Sequence, residues 1–134
     1  MKNPIVHLEL STDDPAKATK FYKGLFSWKT EDVDMGPMVY TMIDMGSKDS
    51  GGGIQCKPMP GMPTAWLAYV KVGDVKKTIA KAKKLGACIE VAYQPIPGMG
   101  AFGVFTDPTG GTLAVWEPGK KAPRKAAKKK KSRR

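Results

Sequence analysis

This chain has few of the residues that most often carry chemistry. Its 134 residues include one histidine, His7, and two cysteines, Cys56 and Cys88. One imidazole cannot supply the several His of a common catalytic zinc site. Two Cys at unrelated spacing make neither a zinc knuckle nor a disulfide framework, and they read as the reduced thiols of a cytoplasmic protein. Long apolar runs are also missing. None approaches the ~18–20 residues that a spanning helix needs, so no membrane partner is expected. Met1-Lys2-Asn3-Pro4 passes straight into a strand-like pattern without the apolar segment of an export signal, which again points to the cytoplasm. The last deficit is local: residues 119–134 contain no acid.

What is present divides accordingly. The formal charge is +11, but residues 1–118 hold 13 of the 23 Lys and Arg and all 12 acids, a net of +1. The excess belongs to Lys120, Lys121, Arg124, Lys125, Lys128, Lys129, Lys130, Lys131, Arg133 and Arg134. A segment so poor in apolar residues is expected to be disordered. Its charge suits weak, sequence-independent contact with nucleic acid, although no aromatic residues are interleaved for base stacking. The body is ordinary for one soluble globular domain, 41% hydrophobic and 26% charged.

Residues 5–10 alternate, with Val6, Leu8 and Leu10 on one face and His7 and Glu9 on the other, which predicts a strand. Asp14 and Pro15 form a helix start. Ala18, Phe21, Tyr22 and Leu25 then fall on one stripe, so a helix over 15–26 should bury Phe21, Tyr22 and Leu25. Strand-like segments follow at 38–44 and 53–57. The stretch Pro58-Met59-Pro60-Gly61-Met62-Pro63 reads as a linker. The order then repeats: a strand at 66–72, a cap at Asp74, and a helix with Val75, Ile79, Ala82 and Leu85 inside and Gly86 closing it. Strands follow near 88–93, 101–106 and 112–116. A shift of 60 residues carries Asp14 onto Asp74, Leu25 onto Leu85 and His7 onto Leu67. The chain is therefore an internal duplication, with module one at 4–58, module two at 64–118 and a basic tail at 119–134. By parity Cys56 should be an inert buried thiol and Trp66 should face the core, while Trp28 should pack where the first helix ends.

Two βαβββ modules of this size resemble the vicinal oxygen chelate superfamily. Its members include glyoxalase I, bleomycin-resistance proteins, methylmalonyl-CoA epimerase and extradiol dioxygenases. The residues that carry the resemblance are His7-Leu8-Glu9-Leu10, the Asp14 cap, Phe21-Tyr22, Leu25-Phe26-Ser27-Trp28, and the run from Phe105-Thr106-Asp107-Pro108 to Thr109-Gly110-Gly111-Thr112-Leu113. Within the superfamily the chain looks most like small bacterial proteins called glyoxalase-related. The resemblance implies an α+β fold in which the modules form a curled, cup-shaped mixed sheet, with a homodimer as the expected assembly.

Active members of that superfamily hold a metal on the first and last strands of each module. Carried over by position, these sites fall on His7, Gln55, Leu67 and Ala114. Leu67 and Ala114 cannot ligate a metal, so no metal cofactor is expected. The weaker alternative is a divalent ion on His7, Glu9 and Gln55. His7 and Glu9 share a strand face and are the candidate acid–base pair. Gln55, Leu67, Tyr69, Ala114 and Trp116 are the candidate ligand-binding lining. Three functions stay open: a cup that binds a small metabolite or xenobiotic without the conventional metal site, a lyase, isomerase or epimerase working through His7 and Glu9, and a nucleic-acid-associated protein tethered by its tail.

Overall fold

The computed structural model describes residues 2–36, 38–48 and 50–119. The ten basic residues from Lys120 to Arg134, to which nucleic-acid contact is assigned above, lie outside the described residues. The elements run β1 (Ile5–Thr12), α1 (Pro15–Leu25), β2 (Lys29–Asp34), β3 (Val39–Asp44), β4 (Gly51–Cys56), then β5 (Ala65–Lys71), α2 (Val75–Lys84), β6 (Cys88–Ile96), β7 (Gly100–Thr106) and β8 (Thr112–Pro118). Strand, helix and three strands thus occur twice.

The repeat extends to the helix starts. Asp14 accepts from the backbone N–H of Lys17 at 3.0 Å, and Asp74 accepts from that of Lys77 at 3.0 Å. Each cap satisfies one of the free N–H groups of a first helical turn. α2 closes as the sequence predicts. Gly86 takes a left-handed φ of 103°, Ala87 N–H donates to the Ala82 carbonyl, and Gly86 N–H donates to that of Lys83. This is the paired C-terminal closure that glycine favours.

All eight strands form one mixed sheet in the order β2-β3-β4-β1-β5-β8-β7-β6. β1 pairs with β4, and β5 with β8, in parallel. The modules join through the antiparallel β1–β5 pair at the centre. One face carries the helices. Under α1, Leu10, Ile43 and Ile54 are buried with Ala18, Tyr22, Trp28 and Met45 packed against them. Val75 and Ile79 of α2 pack with Val72 and Val115, joined by Ile89 and Phe105. A third cluster of Tyr69, Val104 and Ala114 lies on the opposite parity of β5, β7 and β8, inside the cup.

Several sequence expectations fail here for local reasons. Phe21 and Leu25 are 60% and 59% exposed. α1 meets the sheet along Ala18 and Tyr22; at 100° per residue Phe21 stands about 60° from Ala18 and about 100° from Tyr22, and Leu25 is the last residue of the helix. Leu8 is also exposed, on a stretch of β1 that α1 does not cover. Trp66 lies on the helix side, where its Nε1–H donates to the Tyr22 hydroxyl at 3.3 Å, but it stays partly open. Cys56 is exposed because it ends β4 at the margin of the sheet. β2, with the sequence Lys-Thr-Glu-Asp-Val-Asp, has no apolar alternation to announce it. It is an edge strand, where charge is the usual protection against further pairing.

Candidate functional site

Because Leu10 on β1 is buried beneath α1, alternation along the strand sends His7, Glu9 and Ser11 to the other face. There Glu9 is the centre of a hydrogen-bond network. Tyr40 donates its hydroxyl to Glu9 Oε2 at 2.8 Å, and Tyr69 donates to Oε1 at 2.9 Å. The Gln55 amide donates to the same Oε1 at 3.1 Å and to Ser11 Oγ at 3.2 Å. His7 Nε2 lies 2.8 Å from the Tyr40 hydroxyl. The His7 ring stacks with Tyr40 and meets Tyr69 edge-on at a centroid distance of 5.4 Å.

This network fixes the state of His7. A tyrosine has one hydroxyl proton, and that of Tyr40 goes to Glu9. The oxygen of Tyr40 therefore accepts from His7, so Nε2 carries the hydrogen and Nδ1 is left as the basic nitrogen. Burial holds the imidazole below its ordinary pKa of 6.5, although the nearby Glu9 charge pulls the other way. His7 is thus neutral near pH 7. Burial, followed by the charge of Glu9 and the hydrogen bonds to it, pushes both tyrosine hydroxyls far upward, so both remain proton donors.

Tyr40 is the site residue that sequence reasoning missed. It belongs to β3, and β4 lies between that strand and β1. Tyr40 reaches Glu9 by passing over Gly53, where a Cβ would collide with its hydroxyl and ring. Three consecutive glycines, Gly51 to Gly53, were the available signal, since glycine inside a strand often marks a close approach.

The predicted lining divides between the two halves of the cup. His7, Glu9, Ser11, Tyr40 and Gln55 make a polar half from module one. In module two, Tyr69 and Ala114 are buried with Leu67, Val91, Phe102, Val104 and Trp116 around them, and the polar atoms of these side chains are the Tyr69 hydroxyl and the Trp116 indole N–H. The strand register also revises one correspondence. Glu9 pairs with Gly53, and Tyr69 pairs with Ala114. A shift of 60 carries Glu9 onto Tyr69, so the module-one counterpart of Ala114 is Gly53, and Gln55 lies two residues further on.

The donors do not fit the divalent ion that the resemblance implies. Leu67, Gly53 and Ala114 offer no ligand atom. Both Glu9 oxygens take protons from protein donors, and His7 turns Nε2 to Tyr40. Among the described residues no group of three His, Cys, Asp or Glu is placed to hold a metal ion, and three or four protein ligands are the usual minimum. No described Lys or Arg pairs with Glu9 either. The one ion pair found among the described residues joins Lys57 to Asp13. Lys71, two residues beyond Tyr69 on β5 and opposite Trp116 in the register, lines a groove with Pro4, Ile5 and Lys48.

Residues 4–115 match the Glyoxalase/Bleomycin resistance protein/Dioxygenase superfamily. A Mycobacterium tuberculosis protein named as a glyoxylase, CFP32, is 32% identical over 111 residues, covering 82% of this chain and 42% of that protein. The anthracycline biosynthesis protein DauV of Streptomyces sp. strain C5 is 27% identical over 128 residues, covering 83% of this chain and 46% of that one. The chain therefore spans less than half the length of these curated relatives. Methylmalonyl-CoA epimerase from M. tuberculosis has the same fold, with a TM-score of 0.66 at 10% identity over 87% of this chain and 88% of its own.

Proposed function

This chain belongs to the Glyoxalase/Bleomycin resistance protein/Dioxygenase superfamily, and from that premise we propose that it binds a small organic molecule in its cup without a divalent metal. The observation that carries this reading is that Tyr40, Tyr69 and Gln55 fill three of the roughly four acceptor sites of Glu9. A carboxylate held by three neutral donors is placed to meet a ligand group. Metal ligation would require it to give those hydrogen bonds up. The apolar wall of Leu67, Phe102 and Trp116 supplies contact area beside it, in the usual pattern of a small-molecule site with a few fixed polar groups. The test is dialysis against Zn²⁺, Ni²⁺ and Mn²⁺ followed by elemental analysis. Far less than one ion per chain is expected. One tightly held ion per chain that disappears in His7→Ala overturns the reading.

One observation favours a second reading, a glyoxalase-related lyase, isomerase or epimerase. Burial keeps His7 neutral, and with Nε2 turned to Tyr40 the basic nitrogen that can take a proton is Nδ1. Such an enzyme would move a proton at carbon next to a carbonyl. Exchange of that hydrogen in D₂O, followed by NMR and lost in His7→Gln, is the result that would favour it. A homodimer is part of the proposal, and sedimentation equilibrium checks it. A single species at the 14.5 kDa of one chain overturns the dimer.

A further inference from the structure

We infer that the cup selects a cation, an ammonium group carried on a compact apolar or aromatic body. This rests on the reading of the cup as the binding site, and names the chemistry of what it takes. The argument begins with proton accounting. Tyr40 and Tyr69 give their single hydroxyl protons to Glu9, and both identified bonds of the Gln55 amide run inward, to Glu9 and Ser11. His7 gives Nε2–H to Tyr40. Next to Glu9 the atoms left to face a ligand are acceptors, His7 Nδ1 and the remaining lone pair of Glu9, while the donors further along the wall are the Ser11 hydroxyl and the Trp116 indole N–H. A group that meets Glu9 must bring the proton.

Charge leads to the same class. Glu9 has no cationic partner among the described residues, and the imidazole beside it is neutral. A half-buried carboxylate without a counter-ion favours a positive group and repels an anion, all the more where water is partly excluded. An ammonium N–H would replace a neutral donor on Glu9 with a charge-assisted bond, and the Gln55 amide, the longest of the three contacts at 3.1 Å, is the easiest to displace. The remaining wall suits the rest of the ligand. Tyr69 and Phe102 meet edge to face at 6.0 Å, and Trp116 pairs with Phe102 across β7 and β8. Aromatic faces attract cations and pack against flat apolar groups. His7, Glu9, Tyr40, Phe102 and Trp116 all keep partial exposure, so a ligand can reach them.

The experiment compares three probes of one shape on the full chain: benzylammonium, benzyl alcohol and benzoate. Binding is followed by tryptophan fluorescence and by the ¹³C shift of the Glu9 carboxyl. Benzylammonium is expected to bind about tenfold more tightly than benzyl alcohol, to move the Glu9 signal, and to lose its advantage in Glu9→Gln. Benzoate is expected to bind worst. Benzoate affinity equal to or above that of benzylammonium overturns the inference and leaves the cup as a binding site. So does a benzylammonium preference that survives in a folded Glu9→Gln chain. If that variant does not fold, the unaltered chain still decides, because a Glu9 carboxyl signal that benzylammonium does not move is equally fatal. Failure of all three probes to bind overturns the cup reading itself, and the inference with it.

Discussion

Gly53 and Tyr40 depend on each other, and the dependence can be measured. A methyl group at position 53 would occupy the space of the Tyr40 ring. Gly53→Ala should therefore evict the ring, release both His7 and Glu9, and cost about 1–3 kcal/mol of stability as an overpacked site. Tyr40→Ala removes the obstacle, so the double variant should be much less destabilised than the two single losses added together. Denaturant titration of the four chains gives the coupling, and simple additivity would show that the ring does not sit where it is described. His7 offers a second residue-scale test. Its folded pKa lies below the ordinary 6.5, so the unfolded chain binds the proton more readily. Stability should rise with pH through the region just below 6.5 and fall on acidification. Melting temperature measured from pH 7.5 to 5 should show this slope in the natural chain and a shallower one in His7→Gln.

The two helices start alike but are anchored differently. α2 puts Val75 at 0% and Ile79 at 6% exposure, whereas α1 buries no residue fully. Ile79 also packs where Gly103 leaves no room for a side chain. Ile79→Ala should then cost about 2–5 kcal/mol by leaving a cavity. Phe21→Ser should stay within about 0.5 kcal/mol of the natural chain, as for other exposed positions. The caps should behave as a pair, with Asp14→Ala and Asp74→Ala each costing about 1 kcal/mol. Chemical denaturation of these variants reads all four values. A large loss in Phe21→Ser would mean that α1 is covered in solution.

At the scale of the whole molecule, charge is partitioned between a nearly neutral body and a basic end. The ten Lys and Arg beyond Gly119 should give the full chain an affinity for duplex DNA that falls steeply with salt, through release of counterions. Residues 1–118 alone, with a net charge of +1, should show little binding. Fluorescence anisotropy across ~50–200 mM salt distinguishes the two chains, and equal affinities would remove the tail from any such role. The cup is not expected to take part, because its one charged anchor is the acid Glu9.

Periodicity alone was enough to reveal the duplication, the two capped helices and the outward turn of His7 and Glu9. These features depend on neighbours three or four residues apart, or on strict alternation, and the chain carries that information locally. Depth of burial was not legible in the same way. Phe21, Leu25 and Cys56 have core-like spacing, but burial requires a neighbour from another element to cover the position, and none of the described elements does. Edge strand β2 was hidden because an exposed edge needs charge rather than alternation. Tyr40 shows the limit most clearly. Its partner Glu9 lies two strands away in the sheet and 31 positions away in the chain, and only the pairing of β3, β4 and β1 brings them together. The sequence could indicate which ligands a metal would lack at Leu67 and Ala114. That the remaining polar groups point their protons at one carboxylate was decided by strand order, because hydrogen bonds are directional and their partners come from four different strands.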